Sequence, residues 1–284
     1  ELKLLSDNSL VSARLNILPT QVILARNENK NITPAQLLLD LQKQTETMLN
    51  VLEKKNIIWQ ASKISDITSF MFIEKFLLDE ALKTNAAAAL ARLALTNTNI
   101  RGAEVRSILE KSLPLIRGED SAILVPALTA HLRKMPYDFG FVSLFNGKDL
   151  TGWKGLVGNP ISRSKMSDTA LQAAQIKADI KMREDWEVKD GLLNYKGNLH
   201  GENLATIKQY GDMEMYVDWK IQEKGDAGIY LRGTPQVQIW DTSRREVGAQ
   251  VGSGGLYNNQ KNVSKPLVVA DNKVGEWNTF HIIM

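Results

Sequence analysis

Cysteine is absent from the chain, which removes disulfides, zinc–thiolate sites and cysteine nucleophiles together. Histidine is scarce, with three residues in all, so any imidazole chemistry must come from His131, His200 or His281. No run approaches the ~18 consecutive apolar residues that a membrane-spanning helix needs. Neither sign of charge dominates: 35 basic and 32 acidic residues leave a net charge of +3, which gives no reason to invoke nucleic acid or an anionic membrane. The first residue is Glu1 rather than Met, so an initiator and an export leader are expected upstream.

What is present is divided unevenly. Five of the six Trp follow residue 150, and Gly gathers in the same half, as in Gly252-Ser253-Gly254-Gly255. The first ~135 residues favour Leu, Ala, Lys and Gln, so composition sets a boundary at Lys134-Met135-Pro136-Tyr137-Asp138. At 284 residues the chain has room for about two domains. We expect a helical region over 1–135 and a β-rich domain over 139–284.

The first region reads as helices. Thr33-Pro34 pairs an N-cap with Pro at the first helical position, and Leu37, Leu38, Leu41 and Met48 follow at helical spacing. Ser65-Asp66 opens a second helix through Phe70, Ile73, Phe76 and Leu77. Asn85 is the expected cap of the Ala86–Leu90 run, and further helices are expected around 103–113 and 120–133. The opening Leu4–Arg14 segment reads as part of a HEAT-type repeat, although no clean fixed period emerges; the alternative is an irregular helical bundle. Such a helical layer would offer a surface to a protein partner.

After residue 139 short alternating stretches take over. Phe141–Phe145 reads as a strand ending at the Asn146-Gly147 turn. Trp186–Val188 and Leu192–Tyr195 flank Asp190-Gly191, a hairpin signal. Met213–Ile221, Gly228–Arg232, Gln236–Trp240 and Trp277–Ile283 complete the set, and Ser167–Glu184 reads as an inserted helix. These elements argue for a sandwich or jelly roll.

Six blocks in order resemble the 3-keto-disaccharide hydrolase family. They are Phe141–Trp153, Trp186–Gly191, Thr206–Trp219 with Tyr210-Gly211-Asp212, Gly228–Gly233, Val237–Asp241, and Lys265-Pro266 with Gly275–Asn278. The resemblance covers about half the chain. It implies a concanavalin-like β-sandwich or jelly roll, here with a helical insertion, following a HEAT-like helical region. It further implies hydrolysis of glycosidic bonds in sugars whose 3-hydroxyl is oxidised, a carbohydrate substrate, and export to the bacterial periplasm or cell exterior. The family continues past Trp277-Asn278, so the chain is expected to break off, at Met284, before the last strands. Two positions depart from the family pattern: Asp226-Ala227-Gly228 stands where Asn-Ser-Gly is common, and Gln236-Val237-Gln238 where Glu-x-Gln is common. A carboxylate is thus gained at 226 and lost at 236.

Alternation proposes the wet face. Ile229 and Leu231 share one side of their strand, Tyr230 and Arg232 the other; likewise Gln236, Gln238 and Trp240 oppose Val237 and Ile239. A groove lined by Tyr230, Arg232, Gln236, Gln238 and Trp240, with Tyr257 and Asp241 at its rim, combines aromatic surface with amides and a guanidinium, as sugar recognition requires. The structural alternative pairs Arg232 with Asp241 or Asp226 to finish a sheet edge. Candidate acids and bases are His200, Glu202, Asp226 and Asp241, the first two in the Gly-rich loop 197–203; Arg232, or a divalent metal held by His200 and nearby carboxylates, would steady an enolate. His131 and His281 read as structural. Gly252–Gly255 lacks the Lys-Ser/Thr of a phosphate loop. Two non-enzymatic readings stand beside the hydrolase: a carbohydrate-binding module and a protein-interaction scaffold.

Overall fold

The computed structural model describes residues 32–46, 50–137, 139–197 and 201–284. The chain divides into two compact units, Glu1–Val142 and Ser143–Met284.

In the first unit, α1 (Pro34–Thr45) starts where Thr33 accepts from the Gln36 amide and Pro34 supplies the fixed φ of the first turn. It buries Leu37, Leu38, Leu39 and Leu41. Helices α2 (Val51–Ala61) and α3 (Ile67–Glu74) are capped by Asn50 and Asp66. The Ala-rich α4 (Lys83–Thr96) is buried on nearly every side, as expected when small side chains let neighbouring helices approach. It packs against α2 and α3, and against α5 (Ala103–Ser112) and α6 (Ser121–Lys134). Asn85 is not its cap. The turn at 79–82 feeds directly into the helix, where Asp79 and Leu82 carbonyls accept from Lys83 and Ala86. Arg106 on α5 is buried; it donates to the Leu132 and Met135 carbonyls and lies 4.0 Å from the Tyr137 ring centre. Burial, then the Arg106 charge, lowers the pKa of His131, consistent with a structural residue. The α-helices run from 8 to 14 residues and are interrupted by 3-10 turns at Lys75–Leu78 and Leu113–Leu115; a HEAT-type repeat stays an expectation of the sequence. The Leu4–Arg14 segment on which that expectation rested, and Met48, lie outside the described residues.

The second unit is strand-rich. β1 (Trp153–Gly155) pairs antiparallel with β4 (Leu204–Thr206). A short helix, α7 (Pro160–Ser164), leads to α8 (Asp168–Asp185), capped by Ser167 as its sequence predicts. β2 (Trp186–Lys189) and β3 (Leu192–Tyr195) form a hairpin around Asp190-Gly191, both at positive φ, the geometry that matches strand twist in a two-residue turn. β5 (Glu214–Trp219) pairs with β8 (Asn278–Ile283), and β6 (Asp226–Tyr230) with β7 (Gln236–Trp240). Phe141–Phe145 forms no strand: the Phe141 amide donates to the Arg101 carbonyl instead of entering a ladder. The architecture shown is mixed, a helical half followed by antiparallel ribbons; a jelly-roll order remains what the family resemblance implies.

Candidate functional site

The β6–β7 ribbon separates two chemistries by strand alternation alone. Register sets Asp226 opposite Trp240, Gly228 opposite Gln238 and Tyr230 opposite Gln236, so these six residues share one face. Ala227, Ile229, Val237 and Ile239 share the other, with Val237 and Ile239 buried. Register thus puts Tyr230, Gln236, Gln238 and Trp240 on one face together with Asp226, but Gln238 is buried there rather than open to a groove as the alternation suggested.

The polar face is wired from end to end. Gln236 Nε2 donates to Gln238 Oε1 at 2.9 Å, and Gln238 Nε2 donates to Asp226 Oδ1 at 2.7 Å. Gln238 is only 2% exposed, so these bonds satisfy an amide that would otherwise be costly to bury. Gly228 makes the arrangement sterically feasible: a Cβ there would stand 2.2 Å from Gln236 Nε2. The segment after Gly252 adds a further edge, since Tyr257 N donates to Gln236 O and Gly254 N to Gln238 O. This carries Tyr257 to Trp240, ring centres 6.1 Å apart and edge to face. The Tyr230 and Tyr257 side chains remain about half exposed.

Asp241 plays a different part from the groove rim expected of it. It is fully buried, and its carboxylate accepts from Lys224 N at 2.7 Å and from Ser243 N and Oγ at 2.9 and 2.7 Å. The Ser243 hydroxyl first, then the Lys224 and Ser243 amides, hold its pKa below the usual carboxylate value. The turn it organises delivers Arg244, which no alternation rule could place. Arg244 Nη1 lies 3.7 Å from Asp226 Oδ2 and donates to Lys224 O at 3.2 Å, while Nε donates to Glu246 at 3.1 Å.

Arg232 falls outside the ribbon. β6 ends at Tyr230, Leu231 is buried, and Arg232 takes φ +52° in the following turn, so the two-residue alternation stops before it. Its guanidinium pairs with Asp212 at 2.6 Å, neither of the acidic partners the sequence suggested. Glu202 is tied to the β2–β3 hairpin: its amide donates to the buried Asp185 at 2.7 Å, and its carbonyl accepts from Trp186 Nε1 at 2.9 Å. His200 lies outside the described residues. Among the described residues no cluster of three or more His, Asp or Glu could hold a metal ion. His281 stacks on Tyr216 at 4.2 Å and contacts Glu214 at 2.9 Å on the β5–β8 ribbon. An open hollow of about 390 Å3, bordered by Asn146, Thr151, Thr206, Lys208 and Tyr210, shares no residue with the β6–β7 face.

The family model described as the 3-keto-alpha-glucoside-1,2-lyase-like domain matches residues 140–284, a span that contains β1–β8 and the whole wired face. A 3-keto-disaccharide hydrolase of Bacteroides thetaiotaomicron is 24% identical over 105 residues, covering 34% of this chain and 29% of that relative. The chain thus matches less than a third of the length of that relative.

Proposed function

Through residues 140–284 the chain belongs to the 3-keto-alpha-glucoside-1,2-lyase-like domain family, and from that membership we propose that it cleaves glycosidic bonds of 3-keto glycosides, including 3-keto disaccharides. One observation carries the reading: a carboxylate, Asp226, stands directly across the register from an aromatic ring, Trp240, beside two hydrogen-bonded amides. The ring would offer a surface for sugar C–H groups, the Gln236 amide and Tyr230 would offer partners to hydroxyls, with the buried Gln238 holding Gln236 and Asp226 in place, and the carboxylate would accept a proton.

A ketone at C3 acidifies the hydrogen on C2. In the proposed reaction Asp226 takes that proton; the C2–H electron pair becomes the C2–C3 double bond and the carbonyl pair moves to the C3 oxygen. The enolate then re-forms the ketone, the C1–O bond breaks, and the leaving oxygen receives a proton from the protonated Asp226 or from a second acid. His200 and Glu202 are the other candidates for that acid. Water adds across the resulting C1–C2 double bond, placing OH on C1 and H on C2. This sequence does not need the two opposed carboxylates of ordinary glycoside hydrolysis, which suits a face bearing Gln at 236 and 238. The same reading puts the reaction in the bacterial periplasm or outside the cell.

A second reading is a carbohydrate-binding module without turnover. It is favoured by the engagement of Asp226 with Gln238 and Arg244, which suits holding a ligand as well as moving a proton. The natural protein containing this chain separates the two when given a 3-keto glucoside and its unoxidised parent. Release of the aglycone from the keto sugar alone is expected, and Asp226→Asn should slow it by at least ~100-fold while leaving the circular dichroism spectrum unchanged. Binding of the keto sugar with no release would leave the binding module; release at equal rates from both sugars would remove the elimination chemistry.

A further inference from the structure

The elimination needs more than a base. As the C2 proton leaves, negative charge gathers on the C3 oxygen, two bonds from the carbon losing the proton, so the group that receives this charge must stand next to the base. We infer that Arg244 is that group: its guanidinium donates to the developing enolate oxygen while Asp226 accepts the C2 proton. The inference rests on the reading above and adds to it a catalytic residue outside the expected set.

Three observations carry it. The first is position: Arg244 Nη1 lies 3.7 Å from Asp226 Oδ2, beyond hydrogen-bond length but close enough for one substrate to touch both groups. Arg232, by contrast, is spent on Asp212 in the turn beyond β6. The second is rigidity. Nε is held by Glu246 and Nη1 by the Lys224 carbonyl, and the side chain is 21% exposed. A planar guanidinium pinned at two nitrogens has little freedom left in the third, which is the preorganisation that makes an oxyanion donor effective. The third is spare capacity: among the described residues Nη2 has no hydrogen-bond partner, so its two N–H groups remain to be used. Asp241 lies beneath this arrangement, holding the 241–244 turn through Ser243 and Lys224.

The step balances without a further reactant. The C2–H bond breaks, the proton passes to Asp226, the freed pair forms the C2–C3 double bond, and the carbonyl pair settles on the C3 oxygen under the Arg244 N–H groups. A parent sugar, with hydroxyl in place of ketone at C3, provides no such oxygen, so the same residue would contribute to discrimination between the two.

The test uses the natural protein containing this chain and a 3-keto glucoside, with exchange of the C2 hydrogen followed by NMR in deuterated water beside steady-state release of the aglycone. Arg244→Gln should lower both the exchange rate and kcat by ~100–1000-fold with KM changed less than about threefold. Arg244→Lys, a cation without the fork, should recover part of the loss, and Arg245→Gln on the next residue should behave as wild type. Melting curves identify a variant that has lost its fold; if Arg244→Gln does so, Arg244→Lys decides, with kcat expected at least ~10-fold below wild type. Wild-type exchange and kcat in Arg244→Gln, or in Arg244→Lys where that variant decides, would overturn the assignment. So would loss of exchange in Arg232→Gln together with wild-type exchange in Arg244→Gln. Failure of the wild-type protein to exchange C2 or release the aglycone would be seen before any variant, and would remove the underlying reading and this inference with it.

Discussion

Trp240 and Asp241 are adjacent in sequence and opposite in use. Trp240 continues the polar face of β7 and meets Tyr257 at its edge, leaving ring surface for a ligand. Trp240→Ala should weaken binding of a 3-keto disaccharide by about 1–3 kcal/mol, a usual magnitude for losing a central aromatic contact; calorimetric titration giving unchanged affinity would assign the ring to packing. Asp241 instead serves the turn. Its native pKa is depressed by the Ser243 hydroxyl, then by the Lys224 and Ser243 amides. The native state therefore favours the ionised form more than the unfolded chain does. That contribution is complete above the ordinary Asp value of about 3.9 and is lost as pH falls through the lower native value. Asp149, depressed by Thr151 and Asn146, acts with the same sign. Melting temperature should fall on acidification below about pH 5, and Asp241→Asn should melt lower at neutral pH and follow acid less steeply. Identical acid dependence in the two proteins would show that the carboxylate is not the group responsible.

At the scale of elements, the second unit manages its strand edges with side chains from α8. Gly155 of β1 has its amide bonded to Asp179 at 2.9 Å and its carbonyl to Gln175 at 2.8 Å, so the edge away from β4 is covered by a helix. The approach is close: a Cβ on Gly155 would stand 2.2 Å from the Ala178 carbonyl oxygen, a backbone atom that cannot swing aside. Gly155→Ala should therefore push β1 from α8 and destabilise the protein by about 1–3 kcal/mol, seen in urea unfolding. A stability within error of wild type would mean that β1 and α8 can separate without loss. Ser167, which accepts from Ala170 N at 3.3 Å, caps the same helix, and Ser167→Ala should cost about 1 kcal/mol; an unchanged unfolding midpoint would leave the cap without energetic weight.

Across the whole chain, the composition boundary at 134–138 and the division after Val142 differ by a few residues for a local reason. Gly140 takes φ +137° against the Arg101 and Gly102 backbone, and the Phe141 amide bonds to Arg101, so the chain is held to the helical unit past its Pro and Tyr. The next residues, Val142 and Ser143, are exposed and outside regular structure. Brief treatment with a broad-specificity protease should nick within 142–145 and give two fragments, each about half the chain; mass spectrometry finding first cuts inside α4 or β7 would contradict this division.

Much of this was legible in the sequence because it is decided within a few residues. Thr33, Asp66 and Ser167 cap helices through amides three positions on, Asp190-Gly191 turns because both residues tolerate positive φ, and the two faces of β7 follow from a period of two. The six motif blocks also identified the family. Only the tertiary structure decided which polar groups meet. Leu231 and Arg232 look like a continuation of β6, yet the ladder ends where the Leu231 amide donates to Pro235, which has no N–H to return the bond, and the turn beyond it decides that Arg232 meets Asp212. Asp241 resembles a groove acid but is consumed by Lys224, distant in sequence and adjacent in space. Arg244 reaches Asp226 only because that buried carboxylate folds the turn between them. Caps, turns and alternation are set by dihedral preference and strand or helix period, which act locally; the pairing of a carboxylate with a guanidinium depends on turn geometry and burial, which arise once the ribbon has closed.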